Sequence, residues 1–128
     1  MFKIITIDGT LTETVEKVIE LMKNHKFGPL TKVDFQKVIK TKIDKDIGKV
    51  YEIGFCNAGI AHQIITINTT FSPLLPCNVS FYELNNKTTV SFINVEKHFA
   101  FVEDPEITKI GIKVNKIFDS VIDELQNN

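Results

Sequence analysis

Two thiols are the residues of this sequence best equipped for chemistry. Cys56 stands in Gly54-Phe55-Cys56-Asn57, and Cys77 stands in Leu75-Pro76-Cys77-Asn78. A thiolate is both a nucleophile and a soft ligand, so such a pair suits persulfide carriage, thiol exchange or soft-metal binding. Cys56 falls where a strand gives way to a helix. A thiol there faces the positive end of the helix dipole, which lowers its pKa. Cys56 is therefore the candidate nucleophile, and Cys77 the candidate resolving or supporting thiol. Asn57 and Asn78 each follow a cysteine and are candidate ligand-binding side chains, because a carboxamide both donates and accepts hydrogen bonds. His62, six residues after Cys56, is the candidate base or third ligand. Two cysteines twenty-one residues apart and one histidine lack the tight spacing of a structural zinc site, so no metal is expected. The sequence names no cofactor: P-loop, dinucleotide and nucleophile-elbow signatures are all missing.

A plainer reading competes with this one. Free cysteine is among the most buried residue types and often only fills space. On that reading the protein is a non-enzymatic homodimeric module. Its sheet face or a groove holds an apolar ligand or a partner, and the cysteines pack.

The elements that must position these residues follow from pattern. Residues 2–7, rich in Ile and Thr, read as a strand, and Asp8-Gly9-Thr10 turns the chain. Thr12 is the expected N-cap of a helix running to about Lys26, with Val15, Val18, Ile19 and Met22 as its apolar stripe. Leu30 to Phe35 reads as a second strand. Val38, Ile39 and Ile43 suit a short helix within 36–46. Val50 to Cys56 reads as a third strand, followed by a helix from Ile60 to about Ile67 and a loop over 69–73. Leu75–Leu84 and Thr88–Val95 form the last two strands, joined by a hairpin at Asn85-Asn86-Lys87. Residues 96–103 give no readable pattern. Asp104, Pro105 and Glu106 then open a long helix with one continuous apolar face from Ile107 to Leu125. The expectation is a single α+β domain over residues 1–128. Its sheet is mainly antiparallel and five-stranded, with helices on one face and the long helix last. The other sheet face needs a cover, which a homodimer would supply.

Composition bounds the function classes. The chain has 128 residues, 43% of them hydrophobic, which excludes disorder. No apolar run approaches the roughly 20 residues of a membrane span, so no membrane partner is expected. All 15 basic residues are lysine, and the formal charge is −1. Without arginine, the usual reader of phosphates and guanine edges, nucleic acid is not an expected partner. The opening residues are too short and too β-branched for a signal-peptide core, so the cytoplasm is the expected compartment.

The residues around the two thiols resemble the domain of unknown function 302 family. In that family Cys-Asn-Pro follows a strand, an alanine-bearing helix comes next, and Leu-Pro-Cys leads into a β-hairpin. The matching residues are Cys56, Asn57, Ala61, Leu75, Pro76, Cys77, Asn78 and Val79. Thr14-Val15-Glu16 and Val33-Asp34 also fit, so the resemblance spans about residues 1–95. Ala58 stands where the family has proline. The resemblance implies a TATA-binding-protein-like α+β fold in a single copy, often homodimeric, with Cys56 and Cys77 as a shared site. It implies neither nucleic-acid binding nor any particular reaction.

Overall fold

The computed structural model describes residues 1–127. Five strands form one sheet: β1 (Phe2–Asp8), β2 (Gly28–Asp34), β3 (Val50–Cys56), β4 (Cys77–Leu84) and β5 (Lys87–Ile93). Their order across the sheet is β1-β5-β4-β3-β2, and every neighbouring pair is antiparallel. The first two strands in sequence are therefore the two edges. Five helices accompany them: α1 (Leu11–Lys23), α2 (Phe35–Ile43), α3 (Ala58–Ile67), α4 (Val95–Ala100) and α5 (Pro105–Gln126). This is the expected α+β architecture.

Burial alternates along the strands and separates two sheet faces. Ile53 and Phe55 of β3, Val79 and Phe81 of β4, and Val90 and Phe92 of β5 are fully buried beneath helices. Against them lie Val18 and Met22 of α1, and Val114, Phe118 and Val121 of α5. Phe118 meets Phe27 edge-on, with ring centroids 5.5 Å apart, and Phe92 at 5.8 Å. The long helix is thus keyed to both the start of β2 and the end of β5. The opposite face is open, with Phe2 61%, Ile4 63%, Tyr82 47% and Leu84 68% exposed.

Local chemistry sets the element ends and corrects several expectations. Helix α1 is capped by Thr10, not Thr12: the Glu13 N–H donates to Thr10 Oγ1 at 3.2 Å. Gly9, at φ 122°, ends the turn one residue earlier than expected and leaves Thr10 in the extended capping conformation. Strand β2 begins at Gly28, because Gly28 and Pro29 pair with Cys56 and Phe55 before a register shift at Thr31. It ends at Asp34, whose carboxylate accepts from the Lys37 N–H, so Phe35 opens α2 instead of closing the strand. Residues 69–74 are a 3-10 segment capped by Asn68, not an irregular loop. Strand β5 ends at Ile93, where Asn94 caps α4 through the Lys97 N–H at 3.1 Å. The stretch that gave no pattern thus holds a short helix. Gly111 lets it sit close: a Cβ there would lie 3.0 Å from that of Phe99.

Gly54 marks the tightest backbone approach near the cysteines. A Cβ at this position would lie 2.5 Å from Pro76 Cγ and nearer still to Thr31 Oγ1. The proline ring of Leu-Pro-Cys thus lies in the space that a β3 side chain would take. Gly54→Ala is expected to lower unfolding stability by about 1–3 kcal/mol through this overlap. Urea denaturation would show a lower midpoint at unchanged slope, and an unchanged midpoint would show that the ring moves aside without cost.

Candidate functional site

Strands β3 and β4 are neighbours, so the two cysteines reach the same end of the sheet. They do not share an environment. Cys77 pairs with Phe55 and is only 4% exposed, within the core. Cys56, the last residue of β3, pairs with Gly28 and keeps partial exposure. By strand alternation Cys56 belongs with Gly54, one step out of phase with Phe55 and hence with Cys77. Both thiols are free, with no disulfide between them.

Burial pushes the Cys77 thiol up from its ordinary value of 9.0 to about 12, and the neighbouring Cys56 thiol adds to the rise. Removing water from a thiolate penalises the charged form. Cys77 is therefore held as a neutral thiol across the neutral range, with little thiolate to attack or to ligate.

The two asparagines part company as well. Asn57 caps α3: its Oδ1 accepts from the Ile60 N–H at 3.1 Å, and its Nδ2 donates to the His25 carbonyl at 3.3 Å. Its side chain thereby ties the start of α3 to the end of α1. Asn78, one residue into β4, is exposed on the open face. His62 lies on the exposed side of α3. It lines a groove of about 380 Å³ between α3 and α5, with Gln63, Thr66 and Ile67 facing Glu106, Lys109 and Ile110. Neither cysteine lines that groove. Among the described residues, no three of His, Cys, Asp and Glu are grouped to hold a metal ion. No described helix is long and apolar enough to cross a membrane.

Asn78 belongs instead to a cavity of about 150 Å³ on the open face, shared with Phe2, Glu52, Ser80, Ser91 and Ile93. Strand register builds it. Glu52 pairs with Ser80, and Ser80 pairs with Ser91, so three polar side chains stand in one row across β3, β4 and β5. At about 4.8 Å per strand the row spans roughly 10 Å. Four of its six lining residues are polar, so the cavity itself is a polar patch on a face that also exposes Ile4, Tyr82 and Leu84. Glu52, Ser80 and Ser91 were missed from the sequence, although a signal was there. The Asn85-Asn86 turn sets Leu84 against Lys87, and counting back from that pair brings Ser80 opposite Ser91.

An open antiparallel sheet under a single helical layer makes this a small α+β domain. The chain belongs to the DUF302 family: the family described as "Domain of unknown function DUF302" matches residues 4–125. The match extends past the expected residue 95 and takes in α5. A crystal structure of an uncharacterized conserved protein DUF302 from Bacillus stearothermophilus is similar in fold, with a TM-score of 0.88 at 19% identity over 97% of each chain. No functionally curated protein matches the chain.

The contrast between the two thiols gives a direct test. In native protein, one thiol is expected to react with a disulfide reagent, mapping to Cys56, and Cys77 only after denaturation. Equal rates at both sites would contradict the burial of Cys77. Stability should also fall with rising pH. The unfolded chain releases the Cys77 proton near 9.0 and the folded chain near 12, so the native state binds more protons between those values. The contribution is intact below pH 9.0 and lost as pH climbs towards 12. Cys77→Ala should lose stability less steeply than wild type across this window in parallel urea titrations. Parallel slopes would remove the effect.

Proposed function

We propose that the protein is a non-enzymatic binding module whose working surface is the open face of its sheet, with a small polar ligand held in the Glu52–Ser80–Ser91 row. One observation carries this reading: polar side chains from three adjacent strands converge on one cavity beside Asn78, while the helix-covered face is filled with apolar groups. Ligand sites commonly join a few placed polar groups to apolar walls, and Phe2 and Ile93 supply those walls here. In this reading Cys77 packs and Asn57 caps. The protein acts as a homodimer in the cytoplasm, without a nucleic-acid partner. Exposed Ile4, which pairs with Ser91, and Tyr82 and Leu84, which run along β4 from Ser80 to the hairpin, suit contact with a second copy. The absence of arginine and the charge of −1 speak against phosphate-backbone binding.

A second reading is favoured by the partial exposure of Cys56: a single-thiol site that carries sulfur or exchanges with small thiols, with His62 and the buried Cys77 outside the reaction. The two readings separate in one set of measurements. A library of small polar fragments, followed by amide chemical shifts, should perturb Asn78, Ser80 and Ser91 equally in wild type and in Cys56→Ser. Intact mass should be the same before and after reductant. Perturbations centred on Cys56 and lost in Cys56→Ser, or an added mass at Cys56 removed by reductant, would favour the thiol reading instead.

A further inference from the structure

We infer that the open-face cavity takes a small organic cation, an ammonium or guanidinium headgroup whose N–H groups meet Glu52, Ser80, Ser91 and Asn78. This rests on the reading of the open face as the binding surface, and it names the ligand class.

Charge carries the inference. Glu52 is the one charged residue among the six that line the cavity, and it is partly buried. Among the described residues, no lysine or histidine pairs with it. The ion pairs present engage Asp119, Glu124, Asp44, Glu83 and Asp8 instead. An ionised carboxylate only accepts hydrogen bonds, so the group that completes Glu52 must donate. A donor that is also cationic gains the most, because charge-assisted hydrogen bonds are roughly twice as strong as neutral ones. The serine hydroxyls and the Asn78 carbonyl add acceptors for further N–H groups. Phe2 also lines the cavity, and an aromatic ring is a better neighbour for a cation than for an anion.

Other occupants fit less well. A calcium ion takes about six to eight oxygen ligands, commonly with several carboxylates, and this cavity has one carboxylate. A second copy seated two-fold over the cavity would bring two Glu52 side chains together with no cation between them. An anion would meet the carboxylate directly. The volume of about 150 Å³ admits a headgroup of a few heavy atoms.

The test uses the intact chain and three matched probes: benzylammonium, benzyl alcohol and benzoate. Amide shifts of Asn78, Ser80 and Ser91 are titrated at neutral pH. Benzylammonium should bind at least about tenfold more tightly than benzyl alcohol, the margin of one charge-assisted hydrogen bond, and benzoate more weakly than either. Glu52→Gln should bring the ammonium and the alcohol to the same affinity. If that variant does not fold, the ammonium-to-alcohol ratio in wild type decides. Equal binding of the two in wild type, or tighter binding of benzoate, would overturn the cation assignment while leaving the cavity as a ligand site. No shift at these amides with any probe would overturn both readings.

Discussion

The docking of Phe118 between Phe27 and Phe92 is the contact on which the rest of the molecule depends. It joins the last helix to the start of one edge strand and to the end of β5, the strand beside the other edge. A buried phenylalanine contributes about 1.5–3 kcal/mol, and each well-set aromatic pair about 0.5–1.5 kcal/mol more. The geometric consequence matters more than the energy. Phe118 fixes α5 beside α1 on one side of the sheet, and the other side receives no layer. A five-stranded sheet thus has one dry face and one wet face, and side chains divide between them by the period of two.

That division decides what each candidate group can do. Cys77 shares the parity of Phe55 and Val79 and lies among apolar groups, where a thiolate loses its solvation. Cys56, one residue out of step, keeps contact with solvent. A sequence that places two cysteines on adjacent strands therefore does not make them equivalent. Parity across the pair separates a packing residue from an accessible one. The same rule gathers Glu52, Ser80 and Ser91. Each sits between neighbours that face the core, such as Ile53, Phe81 and Phe92, so each must face out.

Much of the fold was legible in the sequence because its signals are local. The hairpin expected at Asn85-Asn86-Lys87, of which Lys87 proves to be the first residue of β5, the Asp104-Pro105 helix start and the apolar face from Ile107 to Leu125 each announce themselves within a few residues. The misses were also local: a cap displaced from Thr12 to Thr10, a strand that begins at Gly28, and a 3-10 segment behind Asn68. In each, a side-chain hydrogen bond or a strand pairing outweighed the sequence pattern. The site was harder to read, for a different reason. Thiols and histidines attract attention by residue type. A row such as Glu52, Ser80 and Ser91 is made of common residues and exists only once strand register brings them together.

The motif behind the family resemblance has a physical account in this light. Asn57 caps α3 and binds the end of α1, Pro76 lies in the space beside Gly54, and Cys77 fills the core at the start of β4. Together they close one end of the sheet, where a strand, a helix start and a returning strand must meet without leaving backbone donors bare. Closing that end needs a small residue at 54, a side-chain acceptor at 57 and a compact apolar group at 77. Those demands are architectural, and they hold whatever occupies the open face. The open face carries no comparable packing demand at Glu52, which stands half-buried without a cationic partner among the described residues.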